Sequence, residues 1–176
     1  MKNFKYLFFL ICLGCSTSKV VVDFEPDTNF TKYKSFEFYE DNGDSLNDFD
    51  RKRITAAIEK ELKTKEMTTN AQPDFFIYFD AKYSEIQANN TIGIGLGSGG
   101  RNGGFGISGG IPIGGKKNNE TIIIKFVDAS SNNLVWEGSL LSAVKEKRSP
   151  QERTSYIDIV VRKILEEYPQ KKTSKN

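Results

Sequence analysis

The sequence predicts an α+β domain: a mainly antiparallel sheet of about five strands with two helices packed on one face. Three observations lead there. Five segments rich in β-branched and aromatic residues alternate apolar and polar side chains, and two others repeat apolar residues at helical spacing. Their order is β-β-α-β-β-β-α, with short, turn-rich connections around most strands. A chain of 176 residues, 38% hydrophobic and 27% charged, suits one packed domain and is too apolar for intrinsic disorder.

Val20-Val-Val-Asp-Phe24 is a β-branched run and reads as the first strand. A turn at Pro26–Asn29 precedes Ser35-Phe-Glu-Phe-Tyr39, whose alternation marks the second. From Ser45 to Lys65 the residues Leu46, Ile54, Ala57, Ile58 and Leu62 keep helical spacing, with Arg51, Lys52, Glu59, Lys60 and Lys63 on the wet side. In Asp74–Ser84, Phe75, Ile77, Phe79, Ala81 and Tyr83 share one face, in a strand long enough to run past the core. Thr121–Val127 and Leu134–Leu141 are two more strands, and Asp128–Asn133 between them is turn-rich and suits a hairpin. Ser149-Pro150-Gln151-Glu152 combines an N-cap, a proline at the first helical position and a capping glutamate. Ile157, Val160, Val161, Ile164, Leu165 and Tyr168 follow at i, i+3, i+4, i+7, i+8 and i+11, and Pro169 stops the helix. Trp136, Phe79 and Phe126 are the expected centre of the core.

The N-terminus carries the clearest functional signal. Lys2 and Lys5 precede the apolar run Tyr6–Leu13, which is too short to span a bilayer and has the layout of an export signal. Gly14-Cys15 after Leu13 resembles a bacterial lipoprotein signal, in which cleavage precedes the cysteine and that residue is acylated. Cys12 stands where such motifs usually have leucine. The expected organisation is a signal peptide at 1–14, a lipidated tether at 15–19, one domain at 20–169 and a disordered tail at 170–176. Lipidation at Cys15 would bind the protein to a membrane. The absence of Asp after Cys15, and of an acidic tract, favours the periplasmic face of the outer membrane.

The inventory restricts chemistry. The chain has no histidine, and its two cysteines both lie in the first fifteen residues, so zinc sites, thiol catalysis and Ser-His-Asp triads are excluded. Twenty-five basic residues face 23 acidic ones, and loss of Lys2 and Lys5 with the signal brings them to parity. With the tail lysines Lys171, Lys172 and Lys175 set aside, the domain is net acidic, so no basic footprint for nucleic acid is expected.

Twelve of the fifteen glycines fall between Gly93 and Gly115. The insertion, 91–118, contains two G-x-G-x-x-G matches, starting at Gly95 and Gly104, and a near miss to a phosphate loop at Gly110–Lys116. Such patterns are cheap where half the residues are glycine. The element that follows is a strand, whereas a phosphate site needs a helix N-terminus. Lys117 stands where magnesium binding needs Ser or Thr. No nucleotide is expected. The alternation of Ile92, Ile94 and Leu96, and of Phe105 and Ile107, with glycine also suits an extended hairpin arm; the entropy cost of ordering glycine favours a flexible surface loop.

Acid and base candidates reduce to Asp74, Asp80, Asp128 and Glu137 on or beside strands, and their spacing singles out no glycosidase-like pair. Tyr78, Asp80, Lys82 and Lys125 are expected to share the open face of the sheet as a patch of cross-strand ion pairs. No catalytic, metal-binding or cofactor-binding residue is assigned.

Taken together, Val22-Asp23-Phe24, Asn29–Phe36, Arg53-Ile54 with Ile58 and Leu62, Pro73–Phe79, Val127–Gly138 and Tyr168-Pro169 resemble the domain of unknown function 4136 family of bacterial lipoproteins. The Asp-Ala…Leu-Val-Trp-x-Gly stretch is the most specific match. Glu66-Met67 departs from the glycine that usually follows the first helix. The resemblance implies an exported envelope protein and brings no activity or site residues. The expectation is a non-catalytic outer-membrane lipoprotein acting through an envelope protein partner. A glycan- or lipid-binding module is the alternative, and a carboxylate hydrolase ranks last.

Overall fold

The computed structural model describes residues 19–85, 91–92, 111–112, 117–145 and 148–169. The expected signal peptide, Cys15, most of the glycine-rich insertion and the tail fall outside the described residues. The strands are β1 (Val20–Phe24), β2 (Ser35–Phe38), β3 (Thr68–Thr69), β4 (Phe75–Glu85), β5 (Thr91–Ile92), β6 (Ile111–Pro112), β7 (Lys117–Asp128) and β8 (Leu134–Lys145). The helices are α1 (Asp48–Thr64) and α2 (Pro150–Glu166).

Six strands form one mixed sheet in the order β1-β8-β7-β4-β2-β3. The α+β class with two helices is as expected, and the expected mainly antiparallel sheet of about five strands differs in detail: the sheet has a sixth, two-residue strand and a parallel side. β1 to β8, β8 to β7 and β7 to β4 are antiparallel, but β2 pairs parallel with both β4 and β3. The reason is α1. A helix inserted between two strands returns the chain to its starting end, so β2 and β4 run the same way. β1 and β2, consecutive in sequence, therefore lie far apart in the sheet. In the glycine-rich insertion, β5 and β6 pair antiparallel, Ile92 opposite Ile111. β7 starts at Lys117 rather than Thr121 and β8 runs on to Lys145, so both outlast the expected strands.

Both helices cover the sheet face that carries Phe75, Ile77, Phe79, Ile122, Ile124, Phe126, Trp136 and Leu140, all buried with Ile54, Ile58 and Leu62 of α1 and Ile157, Val161 and Ile164 of α2. α1 and α2 run parallel: Arg53 reaches Thr154 and Lys60 reaches Asp158. α1 begins at Asp48, after the expected Ser45, because the Asn47 side chain caps it by accepting from the Asp50 amide. α2 starts as read, with Ser149 and Glu152 in a reciprocal capping box. The end of α1 closes in a Schellman pattern, Met67 amide to Leu62 carbonyl and Glu66 amide to Lys63 carbonyl, with Glu66 at φ 61° where a glycine would be unstrained.

The Trp-x-Gly pattern has a steric cause. A Cβ on Gly138 would lie 2.6 Å from Trp136 Cη2 and 2.7 Å from Ile164 Cγ2. The indole lies across the bare backbone two residues on, and α2 closes over both. Phe126 packs on Trp136 at 4.9 Å and on Phe75 at 4.6 Å between ring centroids, and Trp136, Phe79 and Phe126, the expected centre of the core, are all buried.

Candidate functional site

The four strand carboxylates singled out in the sequence are dispersed, and each is held by its own partners. Asp128 closes the β7–β8 turn: its Oδ1 accepts from the Ser130 and Ser131 amides at 3.0 and 2.9 Å, and its Oδ2 accepts from Lys32 Nζ at 2.7 Å and Tyr33 OH at 2.8 Å. The Lys32 contact and those hydroxyl and amide bonds hold its carboxyl well below the usual range. Asp74 Oδ2 accepts from the Lys34 and Ser35 amides, both at 2.8 Å, tying β4 to the start of β2. Burial alone would raise the Asp74 carboxyl, and these backbone bonds outweigh it and lower it. Asp80 accepts from the Ser45 hydroxyl.

Glu137 pairs with Lys125 at 2.9 Å across β7 and β8, where their Cα positions are directly opposed. The expected patch of Tyr78, Asp80, Lys82 and Lys125 does lie on the open face, but Lys125 pairs with Glu137 on β8, on the opposite side of β7 from Asp80 on β4.

A more concentrated cluster lies at the other end of the sheet. A cleft of about 470 Å³ is lined by Asn47, Phe49, Asp50 and Arg53 from α1, Tyr83 from β4, Asn118 and Glu120 from β7, Val144 from β8, and Arg148–Pro150 and Arg153 at α2. At its base, Arg153 forms a fork on Glu120, Nη1 to Oε2 and Nη2 to Oε1, both 2.5 Å. The same guanidinium reaches Asp50 Oδ2 through Nε at 3.1 Å and Nη2 at 3.0 Å. Arg53 binds Asp50 Oδ1 at 2.8 Å, and Tyr83 OH donates to Glu120 Oε1 at 2.9 Å.

Glu120 is fully buried, and Asp50 nearly so. Burial works against both the Arg153 guanidinium and the Asp50 carboxylate. The hydrogen bonds between the partners reverse that, raising Arg153 and lowering Asp50. Both groups are fixed in their charged forms, so neither can trade a proton near neutral pH. The network is a four-element brace linking α1, α2, β4 and β7.

Sequence reasoning missed this cluster, although a signal for it exists. Glu120 continues the period-two row Ile122, Ile124, Phe126. Asp50 continues the stripe that includes Ile54, Ala57 and Ile58, and Arg153 the one that includes Ile157, Val160 and Val161. Each charge extends a buried stripe by one step, and opposite charges in such places have to meet or stay wet. Among the described residues, no group of three or more metal-ligating side chains is placed to hold an ion.

Among solved structures, the chain is similar to a PDZ domain protein from Parabacteroides distasonis, at 18% identity and a TM-score of 0.59 over 88% of this chain. The chain spans 36% of that protein's length. It is also similar to a PelC dodecamer from Paraburkholderia phytofirmans, at 9% identity and a TM-score of 0.45 over 85% of this chain and 95% of that one. No curated protein matches the chain. Residues 20–170, which span the whole sheet and both helices, match the family described as domain of unknown function (DUF4136), and the chain belongs to that family.

Proposed function

We propose that this chain is a lipoprotein of the bacterial cell envelope, anchored through acylated Cys15 at the periplasmic face of the outer membrane, and that it works by contact with a protein partner rather than by catalysis. One observation carries the reading: a basic, then apolar, export-type segment ends in Leu13-Gly14-Cys15, and the folded domain starts five residues later at Val20. Non-catalytic action is supported by the fate of the carboxylates. Asp74, Asp128, Glu137, Asp50 and Glu120 are each engaged by cations, amides or hydroxyls that also brace the fold.

A surface suited to contact is the uncovered sheet face. Val21 and Leu141 stand exposed there on the same side as the Lys125–Glu137 pair, and β1 forms one edge of the sheet, unpaired on its outer side among the described residues. Crosslinking followed by pull-down from detergent-solubilised envelopes tests the reading. A single protein partner, lost when Val21 and Leu141 are replaced by lysine, is the expected result. Retention of glycan with no protein partner would replace it with the glycan-binding alternative.

A further inference from the structure

The position of the proposed anchor relative to the fold says which way the domain faces. β1 runs antiparallel to β8 with Val20 opposite Leu140, so the chain preceding Val20 leaves in the direction in which β8 continues. β8 extends five residues further, to Lys145, or about 17 Å at strand rise. The five steps from Val20 back to Cys15 span at most about 18 Å when fully extended. The far ends of β7 and β8 therefore reach as far as the anchor does, and a bilayer holding Cys15 lies within contact of them.

The chemistry of the two ends differs in the same sense. At the anchor end the cleft carries Arg53, Arg148 and Arg153 against Asp50 and Glu120. The half-buried Arg148 packs its guanidinium over the Tyr156 ring at 4.0 Å, with Nη1 buried and without a hydrogen-bond partner among the described residues. Beside it Phe49 is 72% exposed. At the opposite end a groove is lined by Glu25, Asp27 and Asp128 against Lys32 alone. Excess cations with an exposed aromatic ring suit an anionic phospholipid surface, and excess carboxylates do not.

We infer that the end of the domain bearing Phe49, Arg53 and Arg148 seats on the anionic surface of the bilayer that holds the anchor, with the Asp128 end pointing away. This inference rests on anchoring at Cys15. The acidic groove is thereby left free on the distal side.

The test uses the full lipidated chain reconstituted into vesicles of phosphatidylcholine with or without phosphatidylglycerol, the acyl chains brominated to quench indole fluorescence. Trp136 is fully buried and serves as the unquenched reference. In Phe49→Trp the added indole should be quenched several-fold more than in Leu134→Trp, a probe at the opposite end, and the difference should shrink with salt, without phosphatidylglycerol, and in Phe49→Trp combined with Arg148→Gln. Circular dichroism checks that each variant folds. Flotation with the vesicles but equal quenching at the two probes would overturn the orientation alone. Failure to float would overturn the anchor, and the orientation with it.

Discussion

The central strand β7 ends in a helix-facing carboxylate on each side, Glu120 at one end and Asp128 at the other, with Ile122, Ile124 and Phe126 between them. The two ends deal with the buried charge differently. Asp128 draws on neighbours within three residues, the amides and hydroxyls of Ser130 and Ser131, and adds Lys32 and Tyr33 from the turn that precedes β2. Glu120 has no such turn to lean on. It depends on Arg153, 33 residues later in the chain, which in turn depends on Asp50, 103 residues earlier. One end is held largely by local turn chemistry and the other by a buried ion network between distant elements. The first should tolerate the loss of one partner; the second should not.

Arg153→Met is the strongest way to break that comparison. It leaves Glu120 and Asp50 buried without their main counter-charge, and removal of one partner from a buried network costs about 3–5 kcal/mol. The loss should appear as a lower urea midpoint with an unchanged m-value. Lys32→Met, at a half-exposed position, should shift the midpoint far less. Equal losses would show that the two ends are held alike.

Gly138→Ala probes the packing between the ends. With Trp136 and Ile164 in the way, overpacking should cost about 1–3 kcal/mol, readable as a drop in Tm and altered near-ultraviolet circular dichroism from Trp136.

Titration separates the ends further. Asp128 has a lowered pKa in the fold, so it contributes stability that is complete above the ordinary carboxylate range and lost as pH falls. Stability should hold from neutrality to about pH 5 and then decline. Asp128→Asn should flatten that decline. At high pH each end has a tyrosine to lose. Burial, then the bond to Asp128, pushes Tyr33 up to about 12, and burial, then the charge of Glu120, does the same for Tyr156. Raised values stabilise below the ordinary tyrosine pKa, and the contribution disappears as pH rises from about 10 towards 12. Tyr33→Phe and Tyr156→Phe should each reduce the alkaline slope in denaturant titrations.

The smallest expected effect is a gain. Glu66→Gly relieves a left-handed backbone at the end of α1 and should stabilise by about 1 kcal/mol, seen as a small rise in Tm with α1 otherwise unchanged.

The same contrast explains what the sequence disclosed. The capping box of α2, the Asp128–Asn133 turn and the Trp136–Gly138 pattern are local chemistry, written within a few residues, and they were legible. So were the helix stripes and the buried face of β4. Sheet order was not, because the alternation in Ser35–Tyr39 says which face is buried and nothing about which strand lies beside it. The parallel β2–β4 pair follows from the crossover through α1. The Arg153 brace was missed for a related reason: Asp50, Glu120 and Arg153 each look like a charge at the end of an apolar stripe, and only the tertiary fold brings the three stripe ends together. Glu137 was legible as a strand carboxylate, but its pairing with Lys125 needed the register of the hairpin.

Mass spectrometry of the N-terminal peptide, on protein extracted from cell envelopes, tests the central functional claim most directly. The account predicts a mature chain beginning at Cys15, carrying acyl groups on its sulfur and amino nitrogen, and a Cys15→Ala variant that stays unprocessed and leaves the outer-membrane fraction. A mature chain that keeps residues before Cys15, or that begins beyond it without lipid, would contradict it.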